Sequence, residues 1–487
     1  MNVWRIARQE WRDALRTRTL PMLAGVVTLL LGAAAVVGHD RAVTQSTQRA
    51  AAQAMVAAQF RAQPDRHPHR VAHYGFLVFR PEAPLAVVDR GLDAYAGSTV
   101  FLEAHRQNLA TFADASQTTG IRRFGELTIA LVLQLFVPLI VLCSAAVALT
   151  RDRTDGTLPL ALCQGATPMA LTLGKWLAVT GTTLILVLPG LLVAWLASGG
   201  LPGKWDADQT ARLVLLIATH GVFIAVVAAL GLALSAWSRQ SRTALAAAVG
   251  LWLAVWIIGP RVVPILAAAS APAPSRAAFE AEVEREVRRV GDSHNPADPN
   301  FNALRVRTLA DYGVSRVEDL PVNYNGIVMR EGERLTTETY RRMLGQLHAR
   351  WSTQIGWLQL AGLVSPYVAV RTASMTLAGT DLVRLRAFDE QAEDYRYALI
   401  QALNDLHIHE VTYARDRYQG EGRENVPSRM RIERTHWSDL PQFTFTPPAL
   451  RESLRGAPAA LWLPLWWLAV AVGAVGLAAR GIRRRPR

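Results

Sequence analysis

The sequence lacks most of the short motifs that identify soluble enzymes, and it has very few cysteines. Only Cys143 and Cys163 occur among its 487 residues, which excludes a disulfide framework and a cysteine-based metal centre. It contains no Walker A sequence for nucleotide phosphates, no HExxH zinc motif and no GxSxG nucleophile motif. We therefore expect no ATP hydrolysis by this chain alone, no catalytic residues and no cofactor.

The chain also lacks a basic domain of the kind that binds nucleic acid. Its formal net charge is +13, but residues 270–455 hold about as many acidic as basic residues. The positive excess lies beside apolar segments, and no nucleic-acid-binding module is recognisable. We therefore expect no nucleic-acid partner.

Long apolar runs are abundant, since 51% of the residues are hydrophobic. A transmembrane helix needs about 20 mostly apolar residues. Six segments meet this requirement, and only closed backbone hydrogen bonding is stable in lipid, so all six should be helices. The predicted spans are residues 20–38, 127–149, 174–196, 211–237, 244–268 and 459–479.

Basic residues in the short loops predict the orientation of these spans. Arginines precede the first span, follow the last and occur within the predicted cytoplasmic segment 150–173, whereas the alternate short loop has only Lys204. We therefore predict a bacterial inner-membrane protein, in contact with membrane lipid, with both termini in the cytoplasm. Residues 1–19 should form an interfacial helix on the cytoplasmic surface, and residues 480–487 a basic cytoplasmic tail.

This topology leaves two large segments outside the cytoplasm, residues 39–123 and residues 270–456. The larger segment has three stretches of helical periodicity, each with one apolar face. Because these faces can bury one another, we expect residues 275–455 to fold independently. The predicted fold class is an all-α polytopic membrane protein with six transmembrane helices. It has a large, mainly helical extracytoplasmic domain between helices five and six and a smaller one between helices one and two, with "YGFLVF" as a strand.

A few histidines outside the spans could bind a metal ion. The stretch "HPHRVAH" holds His67, His69 and His73, and "HIHE" holds His407 and His409. Imidazoles are good ligands for transition metals. Solvated or hydrogen-bonded histidines at the start of a strand are the commoner outcome, and we predict no metal ligand.

Two polar residues lie inside the predicted spans, His220 in the fourth and Gln134 in the second. Buried polar groups in lipid are costly and usually face the interior of the helix bundle. These residues therefore either form an interhelical hydrogen bond or line a substrate path.

The stretch "LTRDRTDGTLPLALCQGATPMALTLGKW" (residues 149–176) holds the densest charge between the second and third spans. It resembles the cytoplasmic coupling segment of type-2 ABC transporter permeases, which reads acid-Arg-acid-x-Gly-Thr-Leu, a Leu-rich run and finally Gly-Lys. Thr154 replaces the usual second acid. Residues 168–173 should form an amphipathic turn along the membrane. The candidate coupling residues are Asp152, Arg153, Asp155, Gly156, Thr157, Leu158 and Lys175. Among them, Asp152 and Arg153 match the family pattern and are expected to present their charges to an ATPase.

The external segments resemble one branch of that family, whose large external domain has no assigned function. The stretches "HYGFLVFRPEAPLAVVD", "FLEAHRQN", "DLPVNYNG" and "FTFTPP" are similar to its recurring landmarks, and we expect the last two to be extended. The chain resembles, more distantly, a bacterial permease involved in assembling a copper cluster for nitrous oxide reduction. The resemblance implies a second permease, identical or related, and a cytoplasmic ABC ATPase dimer as partners.

These features predict the permease subunit of an ATP-driven ABC transporter, of the exporter type. ATP hydrolysis by a separate subunit would be coupled to movement of a substrate or to work on a periplasmic partner. The alternative is a membrane-anchored assembly scaffold, for example for metal-centre maturation, that binds a periplasmic protein and transports nothing. A membrane enzyme acting outside the membrane would need a convergent catalytic constellation, which we cannot assemble from the sequence.

Overall fold

The computed structural model describes residues 2–113, 126–197, 206–416 and 431–484. Residues 114–123 of the smaller external segment, Lys204 and residues 485–487 of the tail lie outside the described residues. Within the described ranges, six helices are long and apolar enough to cross a membrane. The chain is therefore a mainly helical, multi-pass membrane protein, as the apolar runs predict.

The six spanning helices are longer than the predicted spans. An amphipathic helix, α1 (Val3–Arg16), precedes them. The spanning helices are α2 (Thr19–Arg61), α4 (Ile129–Thr154), α6 (Pro168–Ala197), α7 (Ala207–Trp237), α8 (Ser241–Ser270) and α15 (Ala459–Arg484).

The first spanning helix extends far beyond the membrane. α2 has 43 residues, which at 1.5 Å per residue is roughly 65 Å, about twice the thickness of a hydrocarbon core. Its second half is polar but rich in alanine, a strong helix former, and nothing interrupts it before Pro64. The predicted boundary at residue 38 is therefore not the end of a helix, and α2 joins the membrane bundle to the external domain.

Two spanning helices contain a π turn, and these turns are linked by tryptophans. The turns are Val132–Phe136 in α4 and Leu253–Ile258 in α8. A π turn disturbs the regular backbone pairing of an α-helix. Trp252 and Trp256 donate their indole N–H groups to the carbonyls of Leu135 at 3.1 Å and Gln134 at 2.8 Å, respectively. These bonds fasten α8 to α4 within the bundle.

The external part contains a small antiparallel sheet and several helices. The elements are α3 (Pro68–Tyr74), β1 (Phe76–Phe79), β2 (Thr99–Glu103), β3 (Arg106–Gln107), α9 (Arg276–Val290), α10 (Asn302–Asp311), α11 (Tyr324–Val364), α12 (Pro366–Ala378), α13 (Leu382–Glu410) and α14 (Leu450–Gly456). The sheet has the order β1-β2-β3, with Phe76 opposite Leu102. The predicted strand in "YGFLVF" is β1, and the three predicted amphipathic helices are α9, α11 and α13.

The stretches predicted to be extended are only partly so. "DLPVNYNG" ends inside α11, because the Asn323 side chain accepts the backbone N–H of Asn325 and caps a helix that starts at Tyr324. "FTFTPP" forms no helix or strand.

The two external segments share one hydrophobic core. Phe388 and Leu399 on α13 pack with Phe60 at the end of α2 and with Phe76 and Val78 on β1. The apolar face of α13 is therefore covered by the smaller segment as well as by helices of the larger one. This arrangement opposes the expectation that residues 275–455 fold independently.

The helix α12 was not predicted, and it packs against the membrane bundle. Ala369 shares a core with Leu463 and Trp467 of α15, and Val370 belongs to the main core of the spanning helices. Just before α12, the carbonyl of Gly362 near the end of α11 accepts the indole N–H of Trp467 at 2.7 Å. With 13 residues, α12 is too short to span a membrane, and it attaches the external domain to α7 and α15.

Candidate functional site

The segment between α4 and α6 forms a short helix bounded by two glycines. This helix, α5 (Thr157–Cys163), starts after Gly156 and ends before Gly165. Both glycines have left-handed backbone conformations, with φ of +72° and +83°. Apart from the adjoining backbone, no atom of the described residues lies within 4 Å of a Cβ placed on either glycine. Glycine is therefore favoured here by its backbone conformation and not by a lack of space.

The amphipathic turn predicted at residues 168–173 is the first turn of α6. Pro168 begins this helix, where its fixed φ and missing N–H are tolerated. The Thr167 hydroxyl accepts the backbone N–H of Ala170. The short separate helix of the segment is α5, which lies earlier in the chain than the predicted turn and consists mostly of apolar residues.

The Gly-Lys pair of the segment joins three helices. Lys175 on α6 is only 2% exposed, and its Nζ lies 2.8 Å from Asp152 Oδ2 on α4 and 2.5 Å from Glu10 Oε1 on α1. Gly174 lies against α1, because a Cβ there would be 2.6 Å from Ile6 Cγ2. The pair therefore allows close contact with α1 and joins these helices, at the ends away from the external domain, through a buried cation.

Two of the predicted coupling residues are also directed inward. Arg153 donates from Nη1 to the carbonyl of Ser238 at 2.7 Å, just after the end of α7, where helix carbonyls lack intrahelical partners. Leu158 is fully buried and packs in a core with Ile6 and Leu171. Asp152 and Arg153 thus both make contacts within the protein, and the presentation of their charges to a partner stays a prediction.

The residues of this segment that face outward form a small mixed surface. Asp155, Gly156 and Thr157 are exposed, and the side chain of Leu160 is 57% exposed. Asp155 lies 3.7 Å from Arg151 in an exposed pair. We call Asp155, Gly156, Thr157 and Leu160 the α5 surface. It lies at the opposite end of α4 from the external domain.

The two polar residues predicted within the spans contact each other. His220 Nδ1 lies 2.9 Å from the carbonyl of Leu216, and His220 Nε2 lies 3.2 Å from Nε2 of Gln134. These contacts fit a neutral imidazole that donates from Nδ1 and accepts the amide at Nε2. Both side chains are buried. The structure thus brings them together in an interhelical hydrogen bond, and a role in a substrate path stays a prediction.

Four histidines from three separate parts of the chain meet in the external domain. His69 and His73 lie one turn apart on α3, His105 lies in the turn between β2 and β3, and His294 lies in the loop after α9. One ligand nitrogen of each lies within 4.8 Å of the others. The Nε2 atoms of His69 and His73 are 3.1 Å apart. We call these residues the four-histidine cluster.

A second, fully buried group lies beside it and is organised around a carboxylate. His407 Nε2 lies 2.7 Å from Asp416 Oδ2, and His67 Nε2 lies 3.3 Å from Asp416 Oδ1. The side-chain amides of Asn323 and Asn325 also donate to Asp416 Oδ2. Burial favours the protonated carboxyl, but the bonds from His407 and His67 outweigh it and hold the pKa of Asp416 well below its usual range. Asp416 is therefore a charged acceptor that already has several donors.

A buried glutamate orients one member of the four-histidine cluster. Glu333 Oε2 accepts the backbone N–H of His105 at 2.9 Å and lies 3.1 Å from His105 Nδ1. Its other oxygen accepts from Arg396 at 2.6 Å. Burial raises the pKa of Glu333, but the contacts with His105 and Arg396 outweigh it and lower the pKa to about 2. Glu333 therefore stays ionised at neutral pH.

Sequence reasoning identified only part of these groups. It pooled His67, His69, His73, His407 and His409, which the structure divides between two groups. His409 is exposed and belongs to neither. His105 and His294 were missed because each is an isolated histidine in a loop. No local pattern marks them, and only the tertiary fold brings them together.

Comparison with known protein families gives a match within the external domain. Residues 276–446 are similar to the family described as a domain of unknown function, DUF3526. This region contains α9 to α13 and the extended stretch after them. No curated protein matches the chain. The similarity therefore places this part of the external domain beside a domain family whose description assigns no function.

Proposed function

We propose that the chain is the permease subunit of an ATP-driven ABC transporter, of the exporter type. The observation that carries this proposal is the α5 surface, which α5 and the glycine before it expose while buried contacts hold the helix against its neighbours. A soluble partner could grip such a helix, and any displacement of it would be transmitted to the helices that hold it. ATP hydrolysis would take place in a separate cytoplasmic ATPase dimer.

The contacts behind the α5 surface support a rigid mechanical link. Leu158 packs on α1 and α6, while Lys175 ties α6 to α4 and α1. Arg153 ties the end of α4 to the end of α7. A force applied to α5 would therefore reach four helices together, which is the behaviour expected for rigid-body switching.

Two elements can carry this motion to the external domain. α2 runs without interruption from the bundle to Arg61, and α12 packs on α7 and α15. Arg212 at the start of α7 strengthens the second link, because it donates to the carbonyls of Thr376 at 3.2 Å and Pro448 at 2.9 Å. Motion of the spans would thus change the position of the external domain, where it could act on a substrate or on a periplasmic partner.

A second permease would complete the membrane part of the transporter. In the most apolar 18-residue stretch of α8, only 6% of the residues are buried within the chain, compared with 61% in that of α4. The apolar surface of α8 therefore has to be covered by lipid or by another subunit. We propose that an identical or related permease contributes to this cover.

A crosslinking experiment tests the docking of an ATPase. A photoreactive amino acid replaces Leu160 in the full-length chain, and native membranes are irradiated. We expect a crosslinked protein that carries a Walker A sequence, because Leu160 is the large apolar side chain exposed on α5. The control places the same photoreactive residue at Leu465 on α15, which is 65% exposed near the external end of the bundle.

The control should give no crosslink to the ATPase. Crosslinks from Leu160 to lipid alone, or to proteins without a nucleotide-binding sequence, would contradict the proposal. The scaffold alternative makes a different prediction for activity, since ATP hydrolysis by the crosslinked partner would respond to a periplasmic protein and to no transported compound.

The orientation of the chain predicts which cysteine can be labelled. Cys163 is exposed on α5, and Cys143 lies within α4. We expect a membrane-impermeant thiol reagent to label Cys163 in inverted membrane vesicles and not in intact spheroplasts, while lipid protects Cys143 in both. Cys163→Ser is the control and should abolish the label. Labelling of Cys163 in intact spheroplasts would place the α5 surface outside the cytoplasm and reject the docking of a cytoplasmic ATPase.

A further inference from the structure

We propose that the four-histidine cluster binds one divalent transition-metal ion of borderline softness, such as Zn²⁺ or Co²⁺. His69, His73, His105 and His294 would each supply one nitrogen. This inference depends only on the external domain and not on the proposed docking of an ATPase.

The positions of the ligand nitrogens fit a four-coordinate site. Zinc–imidazole bonds are about 2.0–2.1 Å long, so the nitrogens of a tetrahedral site lie roughly 3.4 Å apart. The Nε2 atoms of His69 and His73 are 3.1 Å apart, and all four ligand atoms lie within 4.8 Å of one another. The widest pair would therefore have to close by at most about 1.4 Å, from 4.8 Å to roughly 3.4 Å.

Carboxylates orient two of the imidazoles from behind. His105 Nδ1 lies 3.1 Å from Glu333 Oε2, and His294 Nδ1 lies 3.2 Å from Asp292 Oδ1. In each ring this leaves Nε2 on the side away from the carboxylate, and among the described residues neither ring nitrogen of His105 has a hydrogen-bond partner. Metal-binding histidines commonly direct their second nitrogen to a carboxylate, which fixes the tautomer and strengthens the ligand.

The backbone near two of the ligands is arranged for close approach. His105 has φ of +60°, a left-handed conformation that costs a non-glycine residue about 1 kcal/mol or more. The loop that carries His294 passes directly over α11 at Gly332, where a Cβ would lie 2.4 Å from Ser293 Cβ. His105 therefore has a backbone conformation that favours glycine, and Gly332 leaves room for the loop that carries His294.

The ligand set and its exposure define the class of ion. Imidazole ligands suit Zn²⁺, Co²⁺, Ni²⁺ and Cu²⁺, whereas Mg²⁺ and Ca²⁺ prefer oxygen ligands. His73 and His294 are exposed while His69 and His105 are half-buried, so an ion can enter from solvent. The neighbouring group of His67, His407 and Asp416 differs, because its carboxylate already accepts several donors from protein side chains.

Titration of the full-length protein with Co²⁺ tests this site. The protein is purified in detergent, treated with a chelator and titrated while the visible absorption of four-coordinate Co²⁺ is recorded, and Zn²⁺ is then added as competitor. We expect one equivalent to bind with a visible absorption band that Zn²⁺ removes. His105→Asn and His294→Asn should each weaken Co²⁺ binding by about 100-fold or more, since altering even the residues behind metal ligands costs 10–100-fold.

His409→Asn is the matched control, because His409 is an exposed external histidine outside both groups. It should bind Co²⁺ like the unaltered protein. Thermal unfolding of each metal-free variant shows that it is folded, and Zn²⁺ should raise the unfolding temperature of the unaltered protein and of His409→Asn only. The proposal is overturned if the unaltered protein binds no Co²⁺, or if His105→Asn and His294→Asn bind it with unchanged affinity.

Discussion

Neutralising Glu10 and Asp152 together, as Glu10→Gln and Asp152→Asn, is expected to destabilise the membrane bundle by about 3–5 kcal/mol. Lys175 is 2% exposed and has both carboxylates as partners. The double variant leaves its ammonium group buried without a countercharge. The expected results are a large drop in the unfolding temperature of the detergent-solubilised protein and loss of contact between α1 and α6.

Removing the cation itself should lower the stability of the protein less than the double substitution does. Lys175→Met leaves Glu10 and Asp152 with side chains that are 37% and 26% exposed, so water can solvate the two carboxylates. We expect a loss of about 1–2 kcal/mol. Combining all three substitutions should restore most of the stability, because an apolar residue can replace a buried ion pair without large cost.

The order of these effects is measured by thermal unfolding followed through tryptophan fluorescence. Arg151→Gln is the matched control, since it breaks the exposed pair with Asp155 on the same segment and should change the stability by less than about 0.5 kcal/mol. If the double variant is no less stable than Lys175→Met, then Lys175 is solvated in the protein and does not hold the three helices together.

Residues 275–455 expressed alone are expected to lack a cooperative thermal transition. The face of α13 that carries Phe388 and Leu399 would lose its cover from Phe60, Val71, Phe76, Val78, Val100 and Leu102. Each buried side chain of this kind contributes about 1.5–3 kcal/mol. The six together contribute on the order of 10 kcal/mol, as much as the whole stability of a typical domain.

The comparison is made with a fusion that joins residues 39–113 to residues 275–455. Both proteins carry the same exposed apolar residues of α12, so the difference between them reports the shared core. We expect the fusion to unfold cooperatively and residues 275–455 alone to bind a hydrophobic dye before heating. A cooperative transition of the shorter protein would show that the helices of the larger segment bury α13 without help from the smaller one.

Membrane crossing was predictable because it depends on local composition. A run of about 20 apolar residues needs a helix in lipid whatever its neighbours are, and this led to the six helices. Where those helices end was less predictable. The second half of α2 is polar enough to leave the membrane but keeps a high helix propensity. The apolar run therefore ends near residue 38, whereas the helix continues to Arg61.

The candidate sites show a similar division. Gly156 could be connected with a turn from the sequence, because glycine is favoured in left-handed conformations. The direction of charged side chains could not be predicted in this way. Asp152 and Arg153 look like surface residues in a polar stretch, and only the presence of Lys175 and the end of α7 turns them inward.

The sequence by itself determined the six spanning helices that the structure describes and the amphipathic helices of the external domain, since each depends on residues close together in the chain. The tertiary structure decided that both external segments share one core, that α12 packs on the bundle, and that His105 and His294 join His69 and His73. These features depend on contacts between residues separated by up to several hundred positions. Packing of whole elements creates such contacts, and no local period or spacing records them.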